Sequence, residues 1–176
     1  DNEFVNEINN IKHNNFYLSG TMVGAGQIEF DAGQTVDNFN ETKLLNNLDN
    51  IKTFDFQGTT KCPGLVHKDI WEMAGGWSEE FSPTGGDDTD FAMKLWILNI
   101  RIFKGLGNSL AYHFGSITTR KKDKSLFTYL GSRGNKIFLK KWGIGINFFE
   151  KFYLKSGLDK NKNLIFNHYD GPLENG

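Results

Sequence analysis

The stretch GGWSEEFSPTGGDDTDF, residues 75–91, leads from a turn-rich loop into the start of a helix. Two glycine pairs bracket the loop, and three carboxylates, Asp87, Asp88 and Asp90, follow within four positions. From Phe91 onward, bulky apolar residues recur three or four positions apart, a spacing that predicts one buried helix face. The three carboxylates therefore fall in or beside the first turn of a predicted helix.

Two interpretations of this acidic turn stay open on the sequence alone. A negative charge in the first turn of a helix is stabilised by the helix dipole and by unpaired N–H groups, so a single Asp is explained as a cap. Three carboxylates are more than a cap needs. Crowded carboxylates repel one another, and they are usually retained where they bind a cation, a hydroxyl or a proton.

These residues also resemble the signature of glycosyltransferases with the GT-A fold, family 2 in particular. The family has a Gly-Gly-aromatic-x-Glu-x-Phe loop followed by (Glu/Asp)-Asp-x-Asp-(Leu/Phe), and residues 75–91 contain both parts. The resemblance implies that Asp88 is the catalytic base that deprotonates the acceptor hydroxyl, with Asp87 binding or orienting the acceptor. It further suggests that Gly76 and Trp77 bind substrate, Trp77 as a stacking platform for the acceptor sugar. The alternative for Trp77 is a core residue under the loop.

The resemblance extends to both sides of the acidic turn, over roughly residues 54–143. Upstream, His67-Lys68 stands where the family has a basic pair, and the strand before it lines the pocket floor in the family. Gly58 and Thr59 are therefore expected to bind substrate. Downstream, the run NKIFLKKWG at residues 135–143 is similar to a common family ending.

A divalent metal is also implied by the resemblance. Many GT-A enzymes have a histidine after the acidic helix that completes the site of Mn²⁺ or Mg²⁺, and His113 falls there. A lone histidine at a strand end is otherwise more often structural. Asp1 stands where the last acid of the family's metal-binding Asp-x-Asp motif would fall. The basic run at residues 118–124, including Lys121, either covers a diphosphate with cations or is a solvated loop.

Composition narrows the remaining possibilities. The 176 residues carry a formal net charge of -1, which provides no global electrostatic argument for binding nucleic acid. A single cysteine, Cys62, excludes an intrachain disulfide and is compatible with a reducing compartment. No stretch approaches the roughly 18 consecutive apolar residues of a membrane span. We expect a cytoplasmic protein. The lysines and aromatic residues of the helical stretch 125–153 fit a membrane surface, but core packing with a solvated face is favoured.

The periodicity predicts an α/β fold. Helices are predicted over residues 3–13, 44–48, 91–98 and much of 125–153, with a further helix that ends at the first glycine pair. Strands are predicted over 16–23, 53–60, 100–106 and 109–116. Residues 24–40 are predicted to form a long loop and residues 156–176 a fraying polar tail. By resemblance, we expect residues 1–155 to be the C-terminal, acceptor-side portion of a Rossmann-like GT-A domain. Its mixed sheet would have flanking helices and would lack the nucleotide-binding N-terminal part.

The predicted activity is a metal-assisted, inverting transfer of a sugar, of the hexosyltransferase type. The expected partners are a nucleotide-sugar donor and a carbohydrate or glycoconjugate acceptor, as in glycan biosynthesis. The main alternative is a non-catalytic carbohydrate-binding module derived from the same fold. A third, weaker alternative is a divalent-cation hydrolase built on Asp87, Asp88, Asp90 and His113.

Overall fold

The structure, a computed structural model, describes residues 2–51, 53–61, 63–83, 85–114, 124–156 and 167–174. Three residues that the sequence singles out, Asp1, Cys62 and Lys121, lie outside this described part. The predictions for Asp1 as a metal ligand and for Lys121 as a substrate-binding residue therefore stay predictions.

In the described part of the chain, five strands form one mixed sheet. The strands are β1 (Phe16–Gly24), β2 (Ile28–Glu29), β3 (Phe56–Gln57), β4 (Gly64–Val66) and β5 (Ile102–His113). Their order is β2-β1-β5-β3, with β4 also paired to β1. β1 runs parallel to β2 and β5, whereas β4 and β3 are antiparallel to β1 and β5 respectively. The predicted α/β class with a mixed sheet is confirmed.

Helices flank this sheet. They are α1 (Asn2–Ile11), α2 (Glu41–Leu45), α3 (Leu48–Ile51), α4 (Lys68–Ala74), α5 (Asp87–Ile97), α6 (Lys124–Trp142) and α7 (Ile146–Phe148). Short 3-10 turns lie at Val36–Asn38 and Glu79–Phe81, and a π-helical turn follows α7 at Phe149–Tyr153. No helix in the described residues has the length and apolar character that crossing a bilayer requires.

The two faces of the sheet are covered by different helices. On one face, α1 packs its apolar side against Phe16, Leu18 and Ile102. On the other face, α5 belongs to the larger core, where Leu95 and Phe103 are fully buried. Burial of one such side chain contributes about 1.5–3 kcal/mol, so α5, with most of its length buried, is firmly fixed against the sheet.

Several secondary-structure predictions are wrong. The predicted loop 24–40 contains β2 and the 3-10 turn at Val36–Asn38. The strands predicted at 100–106 and 109–116 are one continuous strand, β5, and the strand predicted at 53–60 is reduced to β3. Turn residues were expected after Leu106, but β5 continues through them. Gly105 allows close packing inside this strand, because a Cβ atom there would lie 2.0 Å from the Phe56 ring. The tail does not fray over residues 167–174, because Leu173 is buried and its N–H donates to the Arg101 carbonyl at 2.8 Å.

Candidate active site

The acidic turn begins α5, and a glycine positions it. Gly86 precedes the helix in a left-handed conformation with φ of 95°, which glycine adopts without strain. The Asp90 N–H then donates to the Gly86 carbonyl at 2.8 Å and closes the first helical turn. The Asp87 carboxylate accepts a hydrogen bond from the Gly85 N–H at 3.0 Å, which ties the loop to the helix. Asp87 and Asp88 are thus placed by local geometry that the sequence encodes.

Asp88 is the carboxylate with the most perturbed environment in this turn. One third of its side chain is exposed (34%), and its Oδ2 atom lies 3.9 Å from the Lys61 Nζ atom. Burial raises the pKa of Asp88 above its ordinary value of 3.8; the Lys61 charge lowers this pKa, and the charges of Asp87 and Glu150 raise it. Asp88 therefore holds a proton more readily than an ordinary aspartate while remaining accessible, which suits a general base.

Glu150 is part of this charge environment and was missed by the sequence analysis. It comes from the π-helical turn, and its Oε1 atom accepts a hydrogen bond from the Thr89 hydroxyl at 3.1 Å. Thr89 is itself buried in the first turn of α5, directly after Asp88. Sixty-one positions separate Thr89 from Glu150, so no local pattern could have indicated the contact. Lys61 was likewise missed, although it lies within the lead-in that the resemblance covers.

Asp90 has a different role from its neighbours. Its side chain is fully buried and accepts hydrogen bonds from the Ser78 hydroxyl at 2.6 Å and from the Trp142 indole N–H at 2.7 Å. The Lys141 ammonium lies 3.0 Å from Asp90 Oδ1, the same oxygen that accepts from Trp142. Asp90 thus joins the loop before α5 to the end of α6. Because both of its oxygens are engaged by protein donors, a hydrolase that uses Asp90 as a ligand gains no support.

Trp77 lines two surface cavities. It is 41% exposed, and its ring lies 5.0 Å from the Phe91 ring, so it is neither a fully buried core residue nor a free platform. One of the two cavities, of about 230 Å³, is lined by both Trp77 and Asp87. The structure therefore brings the predicted stacking residue to the predicted acceptor-binding carboxylate. Gly76 is buried, and its carbonyl accepts a hydrogen bond from Lys94 at 2.8 Å.

The two residues predicted at the pocket floor are buried and make packing contacts. Gly58 has φ of 73°, and a Cβ atom there would lie 2.1 Å from the Leu154 carbonyl oxygen, so a glycine is required by the close approach of the C-terminal segment. The Thr59 hydroxyl is hydrogen-bonded to the Ser19 hydroxyl in β1. Substrate binding by Gly58 and Thr59 stays a prediction.

His113 ends β5 and lines a separate cavity of about 630 Å³, whose wall includes Glu29 and Asp31 but neither Asp87 nor Asp88. The loop 24–40 forms much of this cavity. The Tyr112 hydroxyl fixes the loop, because it accepts from the Ala32 N–H at 2.9 Å and donates to the Gly33 carbonyl at 2.8 Å. The sequence analysis missed this cavity.

His113 fits the chemistry of a metal ligand. Its Nδ1 atom lies 2.7 Å from the Ala25 carbonyl oxygen, so Nδ1 carries a proton, and in the neutral ring Nε2 has the lone pair. Histidines that bind metals commonly donate their second ring N–H in this way. Within the described residues, however, no three His, Cys, Asp or Glu side chains are grouped so that they would hold a metal ion. His113 is one suitable donor, and the ligand set implied by the resemblance is not complete without Asp1.

No protein-family model matches this chain, and neither a curated protein nor a solved structure matches it. Function must therefore be inferred from the site itself.

Proposed function

We propose that the protein is a glycosyltransferase that moves a sugar from a nucleotide-diphosphate donor to an acceptor hydroxyl, with Asp88 as the general base. The observation that carries the proposal is the environment of Asp88. Asp88 is an accessible carboxylate whose pKa is raised by burial and whose charge environment includes Lys61. Its neighbour in the chain, Asp87, lines a cavity together with Trp77.

In the proposed reaction, the Asp88 carboxylate takes the proton of the acceptor hydroxyl while the hydroxyl oxygen bonds to the anomeric carbon of the donor sugar. The bond from that carbon to the diphosphate breaks, and its electron pair leaves with the nucleoside diphosphate. Attack from the face opposite the leaving group inverts the anomeric centre. Asp87 and Trp77 hold the acceptor, Trp77 by stacking of its exposed face.

A bound Mn²⁺ or Mg²⁺ ion would supply neutralisation of charge on the diphosphate. The His113 Nε2 atom is one donor in the described residues that could hold such an ion, and the carboxylates of Glu29 and Asp31 line the same cavity. We also propose that the mixed sheet is of the GT-A type and that it belongs to the acceptor-side half of such a domain. So does a cytoplasmic location, which the single cysteine of the sequence favours.

A second candidate is a carbohydrate-binding module without catalysis. The partly exposed Trp77 ring beside a small cavity with polar side chains favours it, because stacking on an aromatic ring needs no base. The two candidates differ in one respect: only the transferase depends on the charge of Asp88.

The deciding experiment measures sugar transfer from a panel of nucleotide sugars, with Mn²⁺ and acceptor extracts, by the protein and its Asp88→Asn variant. We expect the substitution to lower kcat by about 100- to 10,000-fold, the usual contribution of a general base, with donor binding preserved. Asp69→Asn is the matched control, since Asp69 holds the same first-turn position in α4 but is exposed.

Full activity of Asp88→Asn would place the base elsewhere. If the folded protein neither turned over nor bound any donor, yet bound glycans in a manner that Trp77→Ala abolished, the binding module would replace the transferase.

A further inference from the structure

Trp77 also lines a second cavity, of about 500 Å³. Its walls are mainly aromatic and aliphatic, and they include Trp71, Phe91 and Val66. Lys68 alone among the described lining residues carries a charge. The Lys68 side chain is 81% exposed and its Nζ atom lies 3.6 Å from Glu72, so that charge sits at the rim beside a partner. The interior of this cavity, which we call the apolar cavity, offers little to a charged ligand.

The wall of the apolar cavity is built from rings that support one another. The Trp71 and Phe91 ring centroids are 4.9 Å apart, and those of Trp71 and Trp77 are 6.0 Å apart in an edge-to-face arrangement. Phe91 is almost fully buried in α5, so it anchors the cluster to the core. A cavity whose walls are already packed pays little ordering entropy when a ligand enters.

Trp77 is shared by the apolar cavity and by the small cavity that contains Asp87. The small cavity has apolar walls at Phe81 and Pro83, but it also contains the carboxylates of Asp87 and Glu79, whereas the described lining of the apolar cavity contains none. Trp77 therefore belongs both to a cavity with carboxylates and to one whose described lining has none. An acceptor that spans Trp77 would place hydroxyl groups at Asp87 and apolar atoms next to Trp71.

Resting on the proposed function, we propose that the apolar cavity binds an apolar group attached to the acceptor sugar, so that the acceptor is a glycoconjugate with an aryl or alkyl aglycone. Trp77 separates the sugar from the aglycone and contacts both. The cavity volume lies within the range of about 300–1,000 Å³ typical of small-molecule sites. The proposal concerns which acceptors are preferred, and it adds no residue to the chemical step.

The test uses methyl, hexyl and phenyl β-glycosides of glucose, galactose and N-acetylglucosamine as probes. Binding is followed by tryptophan fluorescence, which does not require turnover, and KM is measured where transfer occurs. For at least one sugar we expect the hexyl or phenyl glycoside to bind about tenfold more tightly than the methyl glycoside, because more apolar surface is buried. A preference for phenyl identifies an aryl aglycone, and a preference for hexyl an alkyl one.

Val66→Phe fills the apolar cavity and is expected to remove the preference for hexyl and phenyl glycosides over methyl glycosides. Val36→Phe is the matched control, because Val36 is 77% exposed on a distant 3-10 turn and does not line the cavity. If Val66→Phe proves unstable in thermal unfolding, Val66→Leu adds a single methylene and should reduce the preference by a smaller factor.

Equal affinity for methyl, hexyl and phenyl glycosides, or a preference that survives in a folded cavity-filling variant, would overturn the inference. So would the absence of binding by every probe. These failures are distinct from failure of the proposed function, which would appear as transfer that does not depend on Asp88.

Discussion

Asp88 and Asp90 lie two positions apart in one helical turn, yet they face opposite kinds of surroundings. Asp90 is fully buried, and protein donors occupy both of its oxygens. Asp88 is partly exposed, and its nearest cation, Lys61, is 3.9 Å away. Burial raises the pKa of Asp88, and the neighbouring negative charges of Asp87 and Glu150 raise it further. We call Asp90 and its donors the closed side of the turn, and Asp88 the open side. The closed side stabilises the fold, whereas the open side keeps a carboxylate available for a substrate proton.

The difference shows how to assign roles within a crowded acidic motif. A buried carboxylate with hydrogen-bond donors on each oxygen has its charge compensated by the protein, so its retention is explained by stability. A carboxylate that is partly desolvated and incompletely compensated costs stability, so its retention asks for a function. Whether a carboxylate has hydrogen-bond donors on both of its oxygens is therefore a better guide to its role than the number of acidic residues in the motif.

The largest expected effect is on the closed side. Asp90→Ala leaves the Trp142 indole N–H without its acceptor, while Lys141 keeps Glu80 as a partner at 2.8 Å. We therefore expect the free energy of unfolding to fall by about 2–3 kcal/mol. Asp88→Ala is the matched comparison and should lose little or no stability. Urea denaturation at neutral pH measures the free energy of unfolding of both variants. Comparable losses in the two variants would contradict the prediction that, of the two aspartates, only Asp90 stabilises the fold.

The open side should respond to charge rather than to packing. A base must be ionised to act, so the rate of transfer rises with pH through the pKa of Asp88. Lys61→Met removes a charge that lowers this pKa and should move the rise to higher pH; Glu150→Gln removes a charge that raises it and should move the rise to lower pH. The measurement is kcat/KM against pH for both variants.

Opposite shifts in these two variants are the informative result, since a general loss of structure would not produce them. The exposed carboxylate of Glu72, which pairs with Lys68 on α4, provides a neutral control as Glu72→Gln. Shifts in the same direction, or none in either variant, would show that Lys61 and Glu150 do not act on the base.

The smallest expected effect is on stability at the open side. Since the folded-state pKa of Asp88 is raised above 3.8, its ionised form is disfavoured by folding, and the protein loses stability as pH rises from below 3.8 through the folded-state pKa. Asp88→Asn lacks this loss. The melting temperature of the variant should match that of the parent at acid pH and exceed it at neutral pH, as measured by circular dichroism with Asp69→Asn alongside. A variant that melts lower at neutral pH would contradict this.

Much of the architecture could be predicted because it is encoded locally. The spacing of apolar residues indicated α1, β1 and α5, and the acids after a glycine pair marked the start of α5. The helical character of the C-terminal stretch was also indicated and is confirmed by α6. In each case the residues that determine the element lie within it.

The parts that could not be predicted depend on contacts between distant residues. The buried role of Asp90 depends on Lys141 and Trp142, which lie 51 and 52 positions away. Glu150 reaches the site only because the π-helical turn is folded against α5, and Gly105 is explained only by the Phe56 ring beside it. A glycine that permits close packing and a glycine that permits a turn are identical in a sequence.

The long pairing of β1 with β5 also has a consequence for how the chain reaches its structure. Phe16 pairs with Ile102 and Gly24 with His113, so each partner of β1 along this edge lies more than eighty positions further along the chain. Closing so long a loop carries an entropic cost before any pairing energy is gained, and parallel pairing of distant segments folds slowly. During synthesis, β1 is made long before the strand that will cover its central edge. Its exposed backbone is then a site for incorrect pairing or for a chaperone, until the last residues of β5 have emerged.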